Sequence, residues 1–159
     1  MGFLALIFME YLTTDWLESK GFKSKGNSTY QLTKGDTTFG ADLLKGLVWI
    51  DGEDVYVMKR ADTIDELAKA YSICGYDTKF KYSSPEKKDD FNLTVGWLAF
   101  NEFVRTDEHK WERKGDEFIV RYNFNTNILS VVSNDMVEGY EGKVLSEDLA
   151  RTIINEVFA

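Results

Sequence analysis

The stretch GLVWIDGEDVYVMKR, residues 46–60, is the clearest structural signal in the chain. Two runs rich in β-branched and aromatic residues, 47–50 and 55–58, flank the pair Asp51-Gly52. An Asp-Gly pair between two such runs is typical of a tight turn that joins antiparallel strands. The stretch therefore predicts a β-hairpin and, with it, an antiparallel sheet.

Short helices are predicted before and after the strand-rich segments. The first, second and fourth candidates have a hydroxyl residue that can cap a helix, and the second, third and fourth have apolar residues on one face at helical spacing. The second candidate also holds a capping box, formed by Thr63 and Glu66. The candidates lie in residues 13–21, 61–75, 91–104 and 146–158.

Further hairpins are predicted around the turns at 34–36, 114–116 and 125–127. The order helix, antiparallel strands, helix thus occurs twice, and the tripeptide KGD recurs eighty residues apart. The predicted fold is α+β, a single domain over residues 1–159 with an antiparallel sheet and helices packed on one side. Two loosely similar helix–strands–helix halves are the alternative description. The polar stretch 82–90, which holds the only proline, marks a weak internal boundary.

The charge balance limits the classes of partner. The chain has 19 basic and 27 acidic residues, which gives a net charge of −8. Lysine and arginine supply most of the affinity for a phosphate backbone, so direct nucleic-acid binding is not expected. An acidic surface is instead complementary to a basic protein, although acidity also serves solubility alone.

Residues for catalysis or metal binding are few. The chain has one cysteine, Cys74, and one histidine, His109, too few for a His/Cys metal cage. Cys74 ends an amphipathic helix and is expected to be buried, whereas His109 lies in a charged stretch. No phosphate-binding loop or metalloprotease motif is present. We therefore predict no catalytic residues, no metal and no cofactor; the alternative is an enzyme whose carboxylates meet only in the fold.

A candidate binding surface lies in VSNDMVEGYEGKVLSED, residues 132–148, which is expected to form a loop. Acidic groups around an exposed aromatic residue suit a protein interface, because the aromatic ring anchors and the charges attract. The alternative is an ordinary solvated connection between the last strand and the last helix. The predicted partner-binding residues are Asp135, Met136, Glu138, Tyr140 and Glu141.

The apolar start MGFLALIFMEYL, residues 1–12, resembles a targeting segment only superficially. No lysine or arginine precedes Lys20, and the apolar run is seven residues, from Phe3 to Met9. A signal peptide needs a basic region and a membrane span needs about 20 apolar residues, so we expect a cytoplasmic protein without a membrane segment. Either Met9 is the native start, or residues 3–12 pack in the core or against a second copy of the chain.

In size, acidity and texture the chain resembles small proteins encoded by phages and mobile elements of Gram-positive bacteria. The likeness is carried by DWLESKGF (15–22), YQLTKGD (30–36) and NFNTNILSVV (123–132). Within that class it resembles anti-CRISPR proteins, which typically inhibit Cas9-type nucleases without being enzymes. The resemblance implies a basic nuclease as partner and assigns no residue a role. An immunity or antitoxin-like protein that neutralises a basic toxin is the alternative.

Overall fold

The computed structural model describes residues 10–82 and 91–158. These residues form an α+β fold dominated by one antiparallel sheet. The helices are α1 (Thr14–Ser19), α2 (Ile64–Ser72), α3 (Val95–Phe100) and α4 (Glu147–Thr152), and α4 continues into a π-helical turn, Ile153–Val157. The strands are β1 (Lys23–Gly26), β2 (Thr29–Lys34), β3 (Thr37–Asp42), β4 (Leu47–Asp51), β5 (Val55–Arg60), β6 (Val104–Arg105), β7 (Lys110–Lys114), β8 (Phe118–Asn123), β9 (Ile128–Ser133) and β10 (Gly139–Lys143).

The hairpin predicted at residues 46–60 is confirmed. Strands β4 and β5 pair antiparallel with Trp49 opposite Met58, and Gly52 N donates to Val55 O at 2.9 Å across the turn. The sheet order is β1-β2-β3-β4-β5-β10-β9-β8-β7-β6. Two five-stranded meanders therefore meet where β5 pairs with β10, in the middle of the sheet.

The prediction of a loop over residues 132–148 is wrong, because this segment contains the central strand β10. Its sequence, GYEGK, has two glycines and a low intrinsic strand propensity. An added Cβ on Gly142 would lie 2.6 Å from Tyr140 Oη and 3.0 Å from Val55, so the close packing requires glycine. Pairing with β5 and β9 overrides the local preference.

The core lies on one face of the sheet, where alternate residues of the central strands are fully buried. The ring of Tyr71, from α2, packs 5.5 Å from the Phe39 ring on β3. The Tyr71 hydroxyl donates to Gly40 O at 3.1 Å. Its burial raises the pKa of this hydroxyl well above the ordinary range. Amphipathic helix α2 is thus anchored to the sheet by packing and by a buried hydrogen bond.

The two halves share one plan: each consists of a short helix, a five-stranded meander and a second helix. The hydroxyl of Thr13 caps α1 by accepting from Trp16 N at 3.1 Å, and Thr94 caps α3 by accepting from Trp97 N at 3.0 Å. Between residues 12–22 and residues 93–103, five identities occur at a constant spacing of 81 residues. They are Leu12/Leu93, Thr13/Thr94, Trp16/Trp97, Leu17/Leu98 and Phe22/Phe103.

Some predictions fall partly outside the described residues. These are the alternative starts, packing or self-association through residues 3–12, of which 10–12 are described, and the internal boundary near residues 82–90, of which Tyr82 is described. Within the described part, Leu12 N donates to Asp62 O at 2.9 Å, and Tyr11 forms an isolated bridge with Thr63. Of the helices that the structure describes, none is long and apolar enough to cross a membrane.

Candidate partner-binding surface

Asp135 fastens the turn between β9 and β10 to the end of β5. Its carboxylate accepts from Ser133 Oγ at 2.6 Å, from Val137 N at 3.1 Å and from Arg60 Nη2 at 2.6 Å. The Ser133 hydroxyl and the Arg60 guanidinium hold the pKa of Asp135 far below its ordinary value. The turn presents Met136 at its tip, 82% exposed and with a positive φ of 61°.

Glu138 belongs to a buried ion cluster beside this turn. It is 6% exposed, and its carboxylate accepts from Lys59 Nζ, from Arg60 Nη1 at 2.8 Å and from Arg60 N at 3.2 Å. Burial by itself would raise the pKa of Glu138, but the bonds from Lys59 and Arg60 outweigh it and lower the pKa. Glu138 is therefore an ionised structural residue.

The expectation of an exposed aromatic at Tyr140 is wrong. Tyr140 is 3% exposed and lies opposite Val57 on the core side of β10, where burial raises the pKa of its hydroxyl well above the ordinary range. Because side chains alternate along a strand, Glu141 points to the other face and is exposed. Of the five predicted contact residues, Asp135, Met136 and Glu141 are exposed, and their partner role stays a prediction.

The turn is also less acidic than its sequence indicated. Asp135 and Glu138 are matched by the two cations Lys59 and Arg60 within one connected cluster. Neutralised acids exert little attraction on a distant basic surface. The cluster therefore fixes the shape of the turn, and the attraction of a basic partner has to come from other acids.

Such acids lie on the face of the sheet opposite the core, which we call the outer face. Tyr56 on β5 has Asp51 of β4 and Glu141 of β10 as its cross-strand neighbours. Tyr56 is 37% exposed, and its pKa is raised by burial and by the Asp51 carboxylate. The acid-flanked aromatic that was predicted at Tyr140 thus occurs at Tyr56.

Apolar side chains extend this site along the sheet. The neighbouring row of the outer face runs from Trp49 through Met58 and Gly139 to Val132, and its three side chains are partly exposed. The Trp49 ring lies over Gly40, where an added Cβ would come within 1.9 Å of it. We define the outer-face patch as Trp49, Asp51, Tyr56, Met58, Val132 and Glu141. Because side chains alternate along a strand, the predicted strand at 55–58 already places Tyr56 and Met58 on one face. Glu141 joins them only because β10 pairs with β5.

A cleft of about 1360 Å³ lies at the end of the sheet near the β4–β5 and β8–β9 turns. Cys74 and the rings of Tyr76 and Tyr82 line it, whereas His109 does not. Burial raises the pKa of the Cys74 thiol well above the ordinary range, so the reactive thiolate is strongly disfavoured. Among residues 10–82 and 91–158, no group of three or more His, Cys, Asp or Glu side chains is placed to hold a metal ion.

Comparisons with protein-family models, with curated proteins and with solved structures find no match for this chain.

Proposed function

We propose that this protein is a non-enzymatic inhibitor that binds a basic nucleic-acid-processing enzyme, a Cas9-type nuclease, through the outer-face patch. The observation that carries the proposal is Tyr56, partly exposed between Asp51 and Glu141. A rigid aromatic ring on a central strand is a good anchor, because little conformational entropy is lost when it is covered. The two carboxylates supply complementarity to a basic surface.

The two acids of the patch, Asp51 and Glu141, present their negative charges at the surface. In the part of the chain that the structure describes, neither Asp51 nor Glu141 forms an ion pair. Both are exposed, on a chain whose net charge is −8. Uncompensated surface charge of one sign speeds encounter with a partner of the opposite sign.

We also infer that the helices pack on the face opposite the patch, which leaves the outer face open to a partner. Two contacts support this arrangement. Tyr71 of α2 contacts Phe39, and Phe158 after the π-helical turn contacts Phe118 at 5.6 Å between ring centroids. Phe39 and Phe118 both belong to the core-facing positions of their strands.

The test is inhibition of DNA cleavage by a purified, guide-loaded Cas9-type nuclease, with co-migration of the two proteins at moderate and high salt. We expect inhibition and a complex at moderate salt, and a weaker complex at high salt because ions screen the attraction. A basic toxin nuclease in the same panel distinguishes an immunity-type role. No complex with any basic nuclease at either salt would overturn the proposal.

Charge reversal in the patch identifies the surface used. The double variant Asp51→Lys/Glu141→Lys should bind the nuclease at least about tenfold more weakly, since two attractive charges become repulsive. Glu18→Lys/Glu156→Lys is the matched control, because it reverses two exposed acids outside the patch and changes the net charge by the same amount. Equal weakening by the control would show that affinity follows net charge alone, and circular dichroism checks that both variants fold.

A further inference from the structure

The hydroxyl group of Tyr140 is a buried polar group for which the fold supplies no partner. Tyr140 is one of three buried tyrosines among the described residues. The other two use their hydroxyls: Tyr71 donates to Gly40 O at 3.1 Å, and Tyr122 donates to Asn127 Oδ1 at 2.6 Å. The Tyr140 hydroxyl forms no hydrogen bond with any residue in the described part of the chain. Buried polar groups are nearly always hydrogen-bonded, so this one requires an explanation.

The fold itself does not need a hydroxyl at this place. Val57 pairs with Ile50, and Tyr140 pairs with Val131. Ile50 and Val131 lie 81 residues apart, which is the spacing of the internal repeat. Val57 is therefore the corresponding residue of the N-terminal half, and it is apolar and fully buried. An apolar side chain satisfies the packing of this strand position, so the hydroxyl of Tyr140 is an addition.

This hydroxyl faces the cleft at the end of the sheet. Tyr140 lines the cleft together with Val55 and Val144. An added Cβ on Gly142 would lie 2.6 Å from Tyr140 Oη, so the glycine leaves space beside the hydroxyl. Gly142 is the cross-strand partner of Val55, which places that space on the cleft side of the Tyr140 ring.

The cleft is already formed by the packing of the two halves. Ala68 of α2 and Leu149 of α4 both line it, so it lies between the second helices of the two halves. Its wall at the β8–β9 turn is fixed by Asn127, whose Nδ2 donates to Phe91 O and to Val144 O, both at 2.8 Å. The cleft volume of about 1360 Å³ exceeds the roughly 300–1,000 Å³ that is typical of small-molecule sites.

The buried part of the cleft carries no charge. Cys74, Tyr140 and Val144 are buried there and uncharged at neutral pH. The charged residues that line the cleft are all exposed, and they are Glu53, Asp54, Asp77 and Lys143. Burying a charged group without a partner is strongly unfavourable. A molecule enclosed by this lining is therefore neutral.

Two further features define the shape and the polar group of the ligand. The rings of Tyr76 and Tyr82 both line the cleft, with their centroids 5.3 Å apart, and aromatic rings pack well against another planar ring. Burial raises the pKa of Tyr140 well above the ordinary range, so its hydroxyl keeps the proton and can donate it. The matching group on the ligand is a hydrogen-bond acceptor.

We propose that the cleft binds a neutral, planar aromatic molecule whose carbonyl oxygen accepts a hydrogen bond from the Tyr140 hydroxyl. This site goes beyond the proposed function, because the cleft shares no residue with the outer-face patch and takes a small molecule. The proposal concerns binding alone, and no reaction is assigned to the site.

The test is a fluorescence titration of the purified full chain with prodan, a neutral naphthyl ketone whose emission shifts to the blue when it leaves water. We expect saturable binding to the wild type. Tyr140→Phe removes only the hydroxyl, so it should bind prodan roughly fivefold more weakly, the equivalent of one hydrogen bond. Its melting temperature without the dye should equal that of the wild type, because no hydrogen bond of the described fold is lost.

Tyr71→Phe is the matched control, since it removes the hydroxyl of a buried tyrosine that does not line the cleft. It should melt at a lower temperature than the wild type, because the bond to Gly40 O is lost. Its affinity for prodan should be unchanged. Prodan should also raise the melting temperature of the wild type and of Tyr71→Phe by more than that of Tyr140→Phe.

Three results would overturn the site. Absence of saturable binding up to the solubility limit of prodan would show that the cleft does not hold this class of molecule. Equal affinities of wild type and Tyr140→Phe would show that the dye binds without the hydroxyl. Equal weakening by Tyr140→Phe and Tyr71→Phe would show that binding follows stability and not contact with Tyr140.

Discussion

At the scale of single residues, the ion cluster around Glu138 shows that the role of an acidic residue depends on its burial and on its ion-pair partners. In the sequence, Glu138 stands among exposed-looking acids; in the structure, it is buried against Lys59 and Arg60. Reversing Asp135, Glu138 and Glu141 together would therefore not leave folding intact, because a third cation would be buried beside the other two. Asp51 and Glu141 are the suitable pair for charge reversal.

Glu138→Gln should lower the free energy of unfolding by about 2 kcal/mol at neutral pH, because it leaves Lys59 and Arg60 without their shared anion. The folded-state pKa of Glu138 lies below its ordinary value of 4.5. The contribution of ionised Glu138 to the free energy of unfolding is therefore fully present above pH 4.5, and it is lost as the pH falls through the lowered pKa. Urea unfolding from neutral pH down to about pH 2 should show the two proteins converging in acid.

The control for this comparison is Asp148→Asn, which removes an exposed ion pair with Arg151. Exposed pairs contribute about 0 to 1 kcal/mol, so the control should behave like the wild type at every pH. If the free energies of unfolding of Glu138→Gln and wild type differ by the same amount at every acid pH, Glu138 is not ionised in the folded protein.

At the scale of elements, a Gly→Ala substitution is expected to change the stability of the protein in opposite directions at two positions. Gly40→Ala on β3 should destabilise the protein by about 1–3 kcal/mol, because the new methyl group would overlap the Trp49 ring. Gly96→Ala on α3 should stabilise it by up to about 1 kcal/mol, since the nearest atom is 4.0 Å away and alanine favours a helix. Thermal unfolding of the two variants measures both changes. A tolerated Gly40→Ala would show that Trp49 moves aside easily.

The segment that forms strand β10 was wrongly predicted to be a loop because its local sequence does not favour a strand. Its two glycines and its neighbouring acids are typical of a loop. Gly142 is needed for close contact with Tyr140 and Val55, and that need arises only after β5 has paired with β10. The caps of three helices and the Asp51-Gly52 turn are local signals, and they were predicted correctly.

At the scale of the whole molecule, the sheet order predicts a gradient of stability. Strands β5 and β10 lie in the middle of ten strands, whereas β1 and β6 end the order. Amide hydrogen exchange should be slowest in β5 and β10 and fastest in β1 and β6, because central hydrogen bonds open only with the core. If the amides of β10 exchange as fast as those of β6, the two meanders open separately and do not behave as one continuous sheet.

The sequence alone determined the local elements of this protein: the hairpin at 46–60, the capped helices and the acidic character of the surface. These follow from interactions within a few residues and from composition. Long-range contacts establish that β10 joins the two meanders, that Glu138 and Tyr140 are buried, and that Tyr56 lies between two acids. The physical reason is that pairing across about 80 residues sets which face each side chain occupies, and no local pattern encodes that register.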